Sequence, residues 1–365
     1  MKIVFVSQPL STGGAERVIA ALANKFYEMG NEVKIIVVDN GDNNVYYTNS
    51  EIEFVHIKKF SNPLKDLLYR AKVMRKYFRV YAPDIILPFT TQKNVSTLLA
   101  TLFTRHKVIV SERNNPYKDP KSKLLRILRK MLYWTADGFV FQTQEAQAYF
   151  SNKIQKRSCI IENPLSENLP LPWEGEREKN IVMVNRLDPQ KNIKMAIDAF
   201  SEVVRKHPEY CLEIFGKGPL EEEIRQYILT KGLSDKIFLR GFCKDVTEKI
   251  RNAGVYLLTS DFEGMSNSLM ESLAMGLPCI STDHPIGGAR ALIKDHENGI
   301  LIPVSDLEKC VTALEELIDD KQLREKLSEN AIKLRSDLSI DKVANRWMDY
   351  IKSLTVKNGV DYGRD

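Results

Sequence analysis

The residues with most chemistry in this 365-residue chain stand where short apolar runs end. Ser260 to Pro278 is a polar, glycine-containing loop that enters a short helical pattern and stops at Gly276-Leu277-Pro278. It holds two carboxylates. Glu263 lies in the loop with no helical duty and suits hydroxyl groups, from which a carboxylate accepts hydrogen bonds. Glu271 has two readings: a ligand for hydroxyls, or the acidic partner in a Ser268-x-x-Glu271 capping box that bonds the backbone. Upstream, Asn185-Arg186-Leu187-Asp188-Pro189-Gln190-Lys191-Asn192 places a planar fork of donors and a compact charge on one loop. That pair suits a diphosphate, and its alternative is two solvated surface charges. Gly216 and Gly218 follow another apolar run and permit close backbone approach, as do Gly13 and Gly14 where the first run opens into a helical pattern. The dinucleotide fingerprint G-x-G-x-x-G is missing there, although Asp39 ends the second run where a ribose ligand would stand.

Short β-branched runs alternating with amphipathic patterns must position these loops, which predicts βαβ units and parallel sheets. Strands are expected at Lys2 to Val6, Val33 to Val38, Ile52 to Ile57, Asp84 to Pro88, Lys107 to Val110, Gly138 to Phe141 and Cys159 to Ile161. A second series covers Asn180 to Val184, Cys211 to Phe215, Ile237 to Leu239, Val255 to Leu258, Pro278 to Ser281 and Gly299 to Ile302. The fold class is α/β, with two doubly wound, Rossmann-like domains: 1–165, a Pro-rich acidic linker over 166–179, and 180–339. The run Ile340 to Leu354 reads as an amphipathic helix packing back on the first domain, and residues 355–365 as a polar, frayed tail. Ligands in such sheets sit beyond the carboxyl ends of the strands, where the candidate residues fall.

Charge is uneven. Residues 1–165 carry 25 Lys and Arg against 14 Asp and Glu, a net +11, and the remainder nets −6. Two helical patterns, Lys65 to Arg79 and Lys121 to Trp134, concentrate cations among Leu, Tyr, Phe and Trp. They read as helices at an anionic membrane surface or as ordinary core helices with a solvated face. No nucleic-acid module accompanies the charge. No apolar run is long enough to span a bilayer, and the start lacks a signal-peptide stretch, so a cytoplasmic location is expected. The five cysteines are scattered outside any C-x-x-C spacing and read as buried free thiols.

Glu263-(x7)-Glu271, Arg186-(x4)-Lys191 and Gly13-Gly14-Ala15-Glu16-Arg17, in this order over nearly the whole chain, resemble the retaining GT-B glycosyltransferases of family 4. Asp283 to Gly288 and Asn298-Gly299 look like the same family. The resemblance implies that Arg186 and Lys191 neutralise a nucleotide-sugar diphosphate, that of a UDP-sugar, and that Glu271 holds the ribose hydroxyls. It implies that Glu263 contacts the transferred sugar, that Gly264, Met265, Ser266 and Asn267 line its other side, and that Gly13 and Gly14 lie beside diphosphate and acceptor. No cofactor is implied, and with no D-x-D in the chain metal-independent catalysis is expected. The family often places a His after the strand Lys107 to Val110, where this chain has Ser111-Glu112-Arg113-Asn114-Asn115-Pro116. Glu112 as a base or Arg113 as a phosphate contact are the catalytic candidates there, and the five histidines read as surface or packing residues. This variant looks like the enzymes of bacterial capsule, O-antigen and exopolysaccharide assembly, which implies a lipid-linked or oligosaccharide acceptor at the inner membrane. The competing readings are a nucleotide-sugar epimerase, an NAD-dependent oxidoreductase and a membrane-surface binding protein with a degenerate site.

Overall fold

The computed structural model describes residues 1–11, 13–39 and 46–355; Thr12 and the tail from 356 lie outside them. The chain divides into two compact units, Met1–Pro164 joined by the C-terminal helix Ile340–Thr355, and Leu165–Ser339.

Unit 1 contains β1 (Lys2–Ser7), β2 (Glu32–Asp39), β3 (Glu53–Lys58), β4 (Ile85–Pro88), β5 (Ile109–Ser111), β6 (Gly138–Phe141) and β7 (Ser158–Ile160). The strands are parallel, in the orders β3-β2-β1-β4 and β5-β6-β7, and isolated bridges from Ile86 to Val108 and from Phe89 to Ser111 join the two sheets. The principal helices are α1 (Gly14–Glu28), α2 (Pro63–Tyr81), α3 (Thr91–Thr101) and α4 (Lys123–Leu132). Both faces of the sheet are covered, which is why β1, β4 and β6 are continuous buried runs without polar alternation. The C-terminal helix completes this core: Trp347 is fully buried, its ring 5.8 Å from that of Phe89.

Unit 2 contains β8 (Asn180–Val184), β9 (Cys211–Phe215), β10 (Ile237–Gly241), β11 (Val255–Leu258), β12 (Cys279–Thr282) and β13 (Ile300–Ile302), parallel in the order β10-β9-β8-β11-β12-β13. Two expectations are corrected here. The stretch 166–179 is an ordered edge of unit 2 and not a spacer: Leu165 and Leu169 are buried in its core, the Leu165 N–H donates to Leu338 O at 2.9 Å, and Arg335 donates to Pro170 O at 2.6 Å. Pro and acidic residues remove periodicity, but two leucines suffice to anchor the strip. All five cysteines are free, yet only Cys279 and Cys310 are buried; Cys159, Cys211 and Cys243 are half-buried.

Candidate active site

The sheet of unit 2 reverses its winding between β8 and β11, the two adjacent strands that the chain reaches far apart in sequence. Loops leaving such a pair diverge and open a crevice at the carboxyl edge. The β8 loop carries Arg186 and Lys191; the β11 loop carries Glu263. The loops are stitched together: Asp261 N–H donates to Gln190 O at 2.9 Å, Asn192 Nδ2 to Asp261 Oδ1 at 2.9 Å, and Thr259 Oγ1 to Lys191 O at 2.9 Å. Within this frame Lys191 Nζ forms an ion pair with Glu263 Oε1, the side chains only 13% and 11% exposed. Ser260 Oγ donates to Glu263 Oε1 at 2.9 Å and Gln190 Nε2 to Oε2 at 3.2 Å. Lysine and carboxylate are thus a preorganised unit and not independent groups.

Arg186 is differently placed. Its side chain is 73% exposed, and Nε and Nη2 grip Asp188 Oδ2 at 2.7 and 2.6 Å, which fixes the guanidinium and leaves Nη1 available. Two glycines set the loop spacing. A Cβ on Gly216, whose φ is +136°, would lie 1.8 Å from Asn185 O, and one on Gly288 would lie 1.8 Å from Gly264 O. At both, only hydrogen fits between backbones. A Cβ on Gly218 would lie 2.2 Å from Leu187 O.

The helix Asn267–Ala274 starts earlier than the capping-box reading requires. Ser266 is its N-cap, its Oγ accepting from Leu269 N, so Glu271 sits inside the helix, buried, and is not the acidic arm of a box with Ser268. Met265 and Ser266 are buried beside it, and Asn267 begins the helix.

The remaining candidates belong to unit 1. Gly13 caps α1 without a side-chain bond and Gly14 is its first residue; the buried Glu16 carboxylate lies against Gly13 and accepts from Gln8 Nε2. Glu112 and Arg113 point into different surroundings. Glu112 is buried, accepting from Thr91 Oγ1 at 3.0 Å, Asn94 Nδ2 at 3.4 Å and the Tyr133 hydroxyl. Burial raises its pKa, against the pull of Arg129 and these donors. Both Glu112 oxygens are thus held by donors of the surrounding core. Arg113 donates to Ser111 Oγ at 2.6 Å and Asn163 Oδ1 at 2.9 Å, with its Cζ 4.6 Å from the Phe89 ring and 5.4 Å from that of Trp347. Burial lowers its pKa to about 9, and Nη2 is buried without a partner. Asp39, the ribose-ligand imitation, has Oδ1 3.1 Å from His56 Nδ1. Among the described residues no group of three or more His, Cys, Asp or Glu is arranged to hold a metal ion.

Residues 12–168 match Glycosyltransferase Family 4 and residues 172–334 match Glycosyl transferases group 1. An N-acetylgalactosamine-N,N'-diacetylbacillosaminyl-diphospho-undecaprenol 4-alpha-N-acetylgalactosaminyltransferase of Campylobacter jejuni is 30% identical over 92% of this chain and 94% of its own length. The chain is a GT-B glycosyltransferase of family 4. A second Campylobacter jejuni alpha-1,4-N-acetyl-D-galactosaminyltransferase is 28% identical over 98% of this glycosyltransferase and 99% of its own length. Among solved structures, sucrose-phosphate synthase of Thermosynechococcus elongatus aligns with a TM-score of 0.85 at 15% identity, over 96% of this chain and 98% of that one. The Anabaena HepE protein in complex with UDP aligns with a TM-score of 0.79 at 18% identity, over 97% and 100%.

Two groups of this glycosyltransferase lie beside the crevice, both inside segments that the sequence singles out and neither given a role there. Asn185 places both side-chain atoms in buried positions without partners, directly before Arg186. His284, read as a surface or packing residue, is 1% exposed with neither ring nitrogen bonded. It lies behind the Gly264 loop, its Cε1 2.9 Å from where a Gly288 Cβ would be. Burial lowers its pKa against the pull of Glu263 and Asp283, so the ring is neutral at neutral pH. His284 falls within the family-like segment Asp283 to Gly288, but only the fold brings it near Glu263.

Proposed function

We propose that this glycosyltransferase moves a hexosyl or N-acetylhexosaminyl group from a UDP-sugar to a lipid-linked or oligosaccharide acceptor in cell-surface polysaccharide synthesis. It retains the anomeric configuration, needs no metal, and works at the cytoplasmic face of the membrane. The observation that carries this reading is the held Lys191–Glu263 pair at the β8/β11 crevice, with the Arg186 fork at its mouth. Cleavage of a sugar–phosphate bond builds charge on the departing diphosphate, and cations fixed before the reaction stabilise that charge without reorganising. Arg186 and Lys191 supply them, Glu263 accepts from hydroxyls of the transferred sugar, and Glu271 from those of the ribose. The Gly264 to Asn267 segment lines the sugar, while Gly216 and Gly218 let the backbone approach the nucleotide. In a retaining reaction on one face of the sugar, the departing phosphate oxygen takes the acceptor's proton, so the enclosure of Glu112 removes nothing the chemistry needs.

The acceptor class is supported by the two Campylobacter relatives, one named for a diphospho-undecaprenol substrate and the other for a PP-undecaprenol substrate. Membrane contact is supported by α4. Leu124, Ile127 and Met131 share one face, Trp134 follows in the short turn Tyr133–Thr135, and the four are 47% to 66% exposed, flanked by Lys123 and Lys130. That is an apolar ridge with a basic margin, the composition of a helix lying in an anionic lipid surface.

A panel of UDP-sugars assayed for UDP release, with product anomers assigned by NMR, tests the reading. Release of UDP in EDTA with an α-linked product from an α-linked donor is the expected result; inverted product, or activity wholly dependent on added Mg²⁺, refutes it. Arg186→Ala should lower kcat by about 10².

A further inference from the structure

Unit 1 has its own point of reversal, and a cavity sits on it. In the order β3-β2-β1-β4 the winding turns back between β1 and β4, so the loops after these strands diverge. The cavity there, about 270 Å³, is lined among others by Gln8, Asp39, Lys59, Arg70, Gln92 and Lys93. Lys93 is 4% exposed, and its ammonium has no hydrogen bond or ion pair among the described residues. Arg70, 2% exposed, pairs with Asp66 through Nη2 and leaves Nε buried without a partner. The Oδ2 of Asp39 is also buried and unbonded. The acidic groups near Lys93 are engaged elsewhere: Glu16 with Gln8, and Asp66 with Arg70 and the Phe60 N–H at 2.8 Å. Gln92 and Lys93 lie in the first turn of α3, whose cap residue Thr90 makes no side-chain bond and is held at a φ of 76°. An uncapped helix start adds unsatisfied N–H groups and a positive dipole end to the same wall.

A buried ammonium without a counter-charge is costly, and a hydrocarbon of the same size would be more stable there. An anion from outside would supply the partner that the described residues do not. We propose that this cavity binds an oxyanion, phosphate or carboxylate, on a hydroxyl-bearing ligand: Lys93, Arg70 and Lys59 meet the anionic oxygens, and Asp39 Oδ2 accepts from a neighbouring hydroxyl. Two sources supply that chemistry to a glycosyltransferase, the sugar diphosphate of a lipid-linked acceptor or an acidic sugar within the glycan. Assignment to the acceptor rests on the function proposed above; affinity for an oxyanion does not.

Calorimetric titration of the full chain, with UDP saturating the donor side, uses inorganic pyrophosphate and glucuronate as probes. Wild type binds at least one. Preference for pyrophosphate assigns the cavity to a diphosphate, and preference for glucuronate to an acidic sugar. Lys93→Met weakens that binding by about tenfold or more, and the exposed Lys59→Gln weakens it by a smaller factor. Lys93→Met also melts at a higher temperature than wild type, which a structural lysine would not allow. Binding of neither probe, or equal affinity in wild type and both variants, overturns the proposal. Wild type that binds pyrophosphate but releases no UDP from any nucleotide sugar overturns the proposed function and leaves the cavity assignment standing.

Discussion

Replacing Lys191 by methionine separates what the Lys191–Glu263 pair does for the fold from what the cation does for the reaction. Removing one member of a buried ion pair costs about 3–5 kcal/mol, because the other charge is left uncompensated. Glu263 would keep two donors, Ser260 Oγ at 2.9 Å and Gln190 Nε2 at 3.2 Å, which places the loss at the low end of that range. In a unit of this size each kcal/mol lowers Tm by about 2–4 °C, so Lys191→Met should melt about 6–12 °C below wild type. Turnover should fall by about 10² to 10³, the effect of removing one preorganised electrostatic contact. Adding Glu263→Gln removes the orphaned charge. The double variant should regain most of the lost Tm and none of the lost kcat, since the cation facing the leaving group is still missing. Scanning calorimetry and UDP release on the three proteins provide the readouts. Recovery of turnover together with Tm in the double variant would show that the pair is structural and refute the argument, as would Lys191→Met at wild-type kcat.

His284 gives a pH prediction. Its pKa is lowered in the folded chain, so as pH falls below about 6.5 the unfolded chain takes up a proton that the folded chain refuses, and stability declines. Glu263 and Asp283 oppose that decline, and Lys191 and Arg290 reinforce it. His284→Phe should therefore lose less stability than wild type between about pH 7 and about pH 5 in urea unfolding, and equal slopes would remove His284 as the source. For α4, Ile127→Gln with Met131→Gln should weaken sedimentation with phosphatidylglycerol vesicles by about tenfold or more. Both residues are exposed, so Tm should stay at the wild-type value, and undiminished sedimentation would count against the ridge as the lipid contact.

The strands were legible because buried parallel strands are short, unbroken β-branched runs: Gly138–Phe141, Asn180–Val184, Cys211–Phe215 and Val255–Leu258 run over the same residues in structure and sequence pattern. The cations and carboxylates of the β8 and β11 loops were legible for a related reason, since a polar residue just past such a run must lie at the sheet's carboxyl edge. What adjacency along the chain does not carry is which neighbour turns inward. Ser266 and Ser268 offer equivalent capping hydroxyls, and the loop geometry before them decides for Ser266. Glu112 and Arg113 are consecutive, and the direction of each depends on Thr91, Asn94 and Tyr133 on one side and on Phe89, Asn163 and Trp347 on the other, all remote in sequence.

The same distinction changes the meaning of the positive charge on residues 1–165. A count treats every cation as surface, yet Arg70, Lys93 and Arg129 are buried, and Arg75 is spent on the carbonyls of Ala100 and Leu102 at 2.8 and 2.6 Å, at the end of α3. Two of these residues stand in the helix, α2, that the sequence reads as a membrane-facing candidate. Lys123 and Lys130 flank the exposed apolar ridge of α4, while Arg70 and Lys93 line a cavity. The two proposed uses of this charge, a lipid contact at α4 and an oxyanion site where β1 and β4 part, therefore draw on different cations, which composition cannot separate.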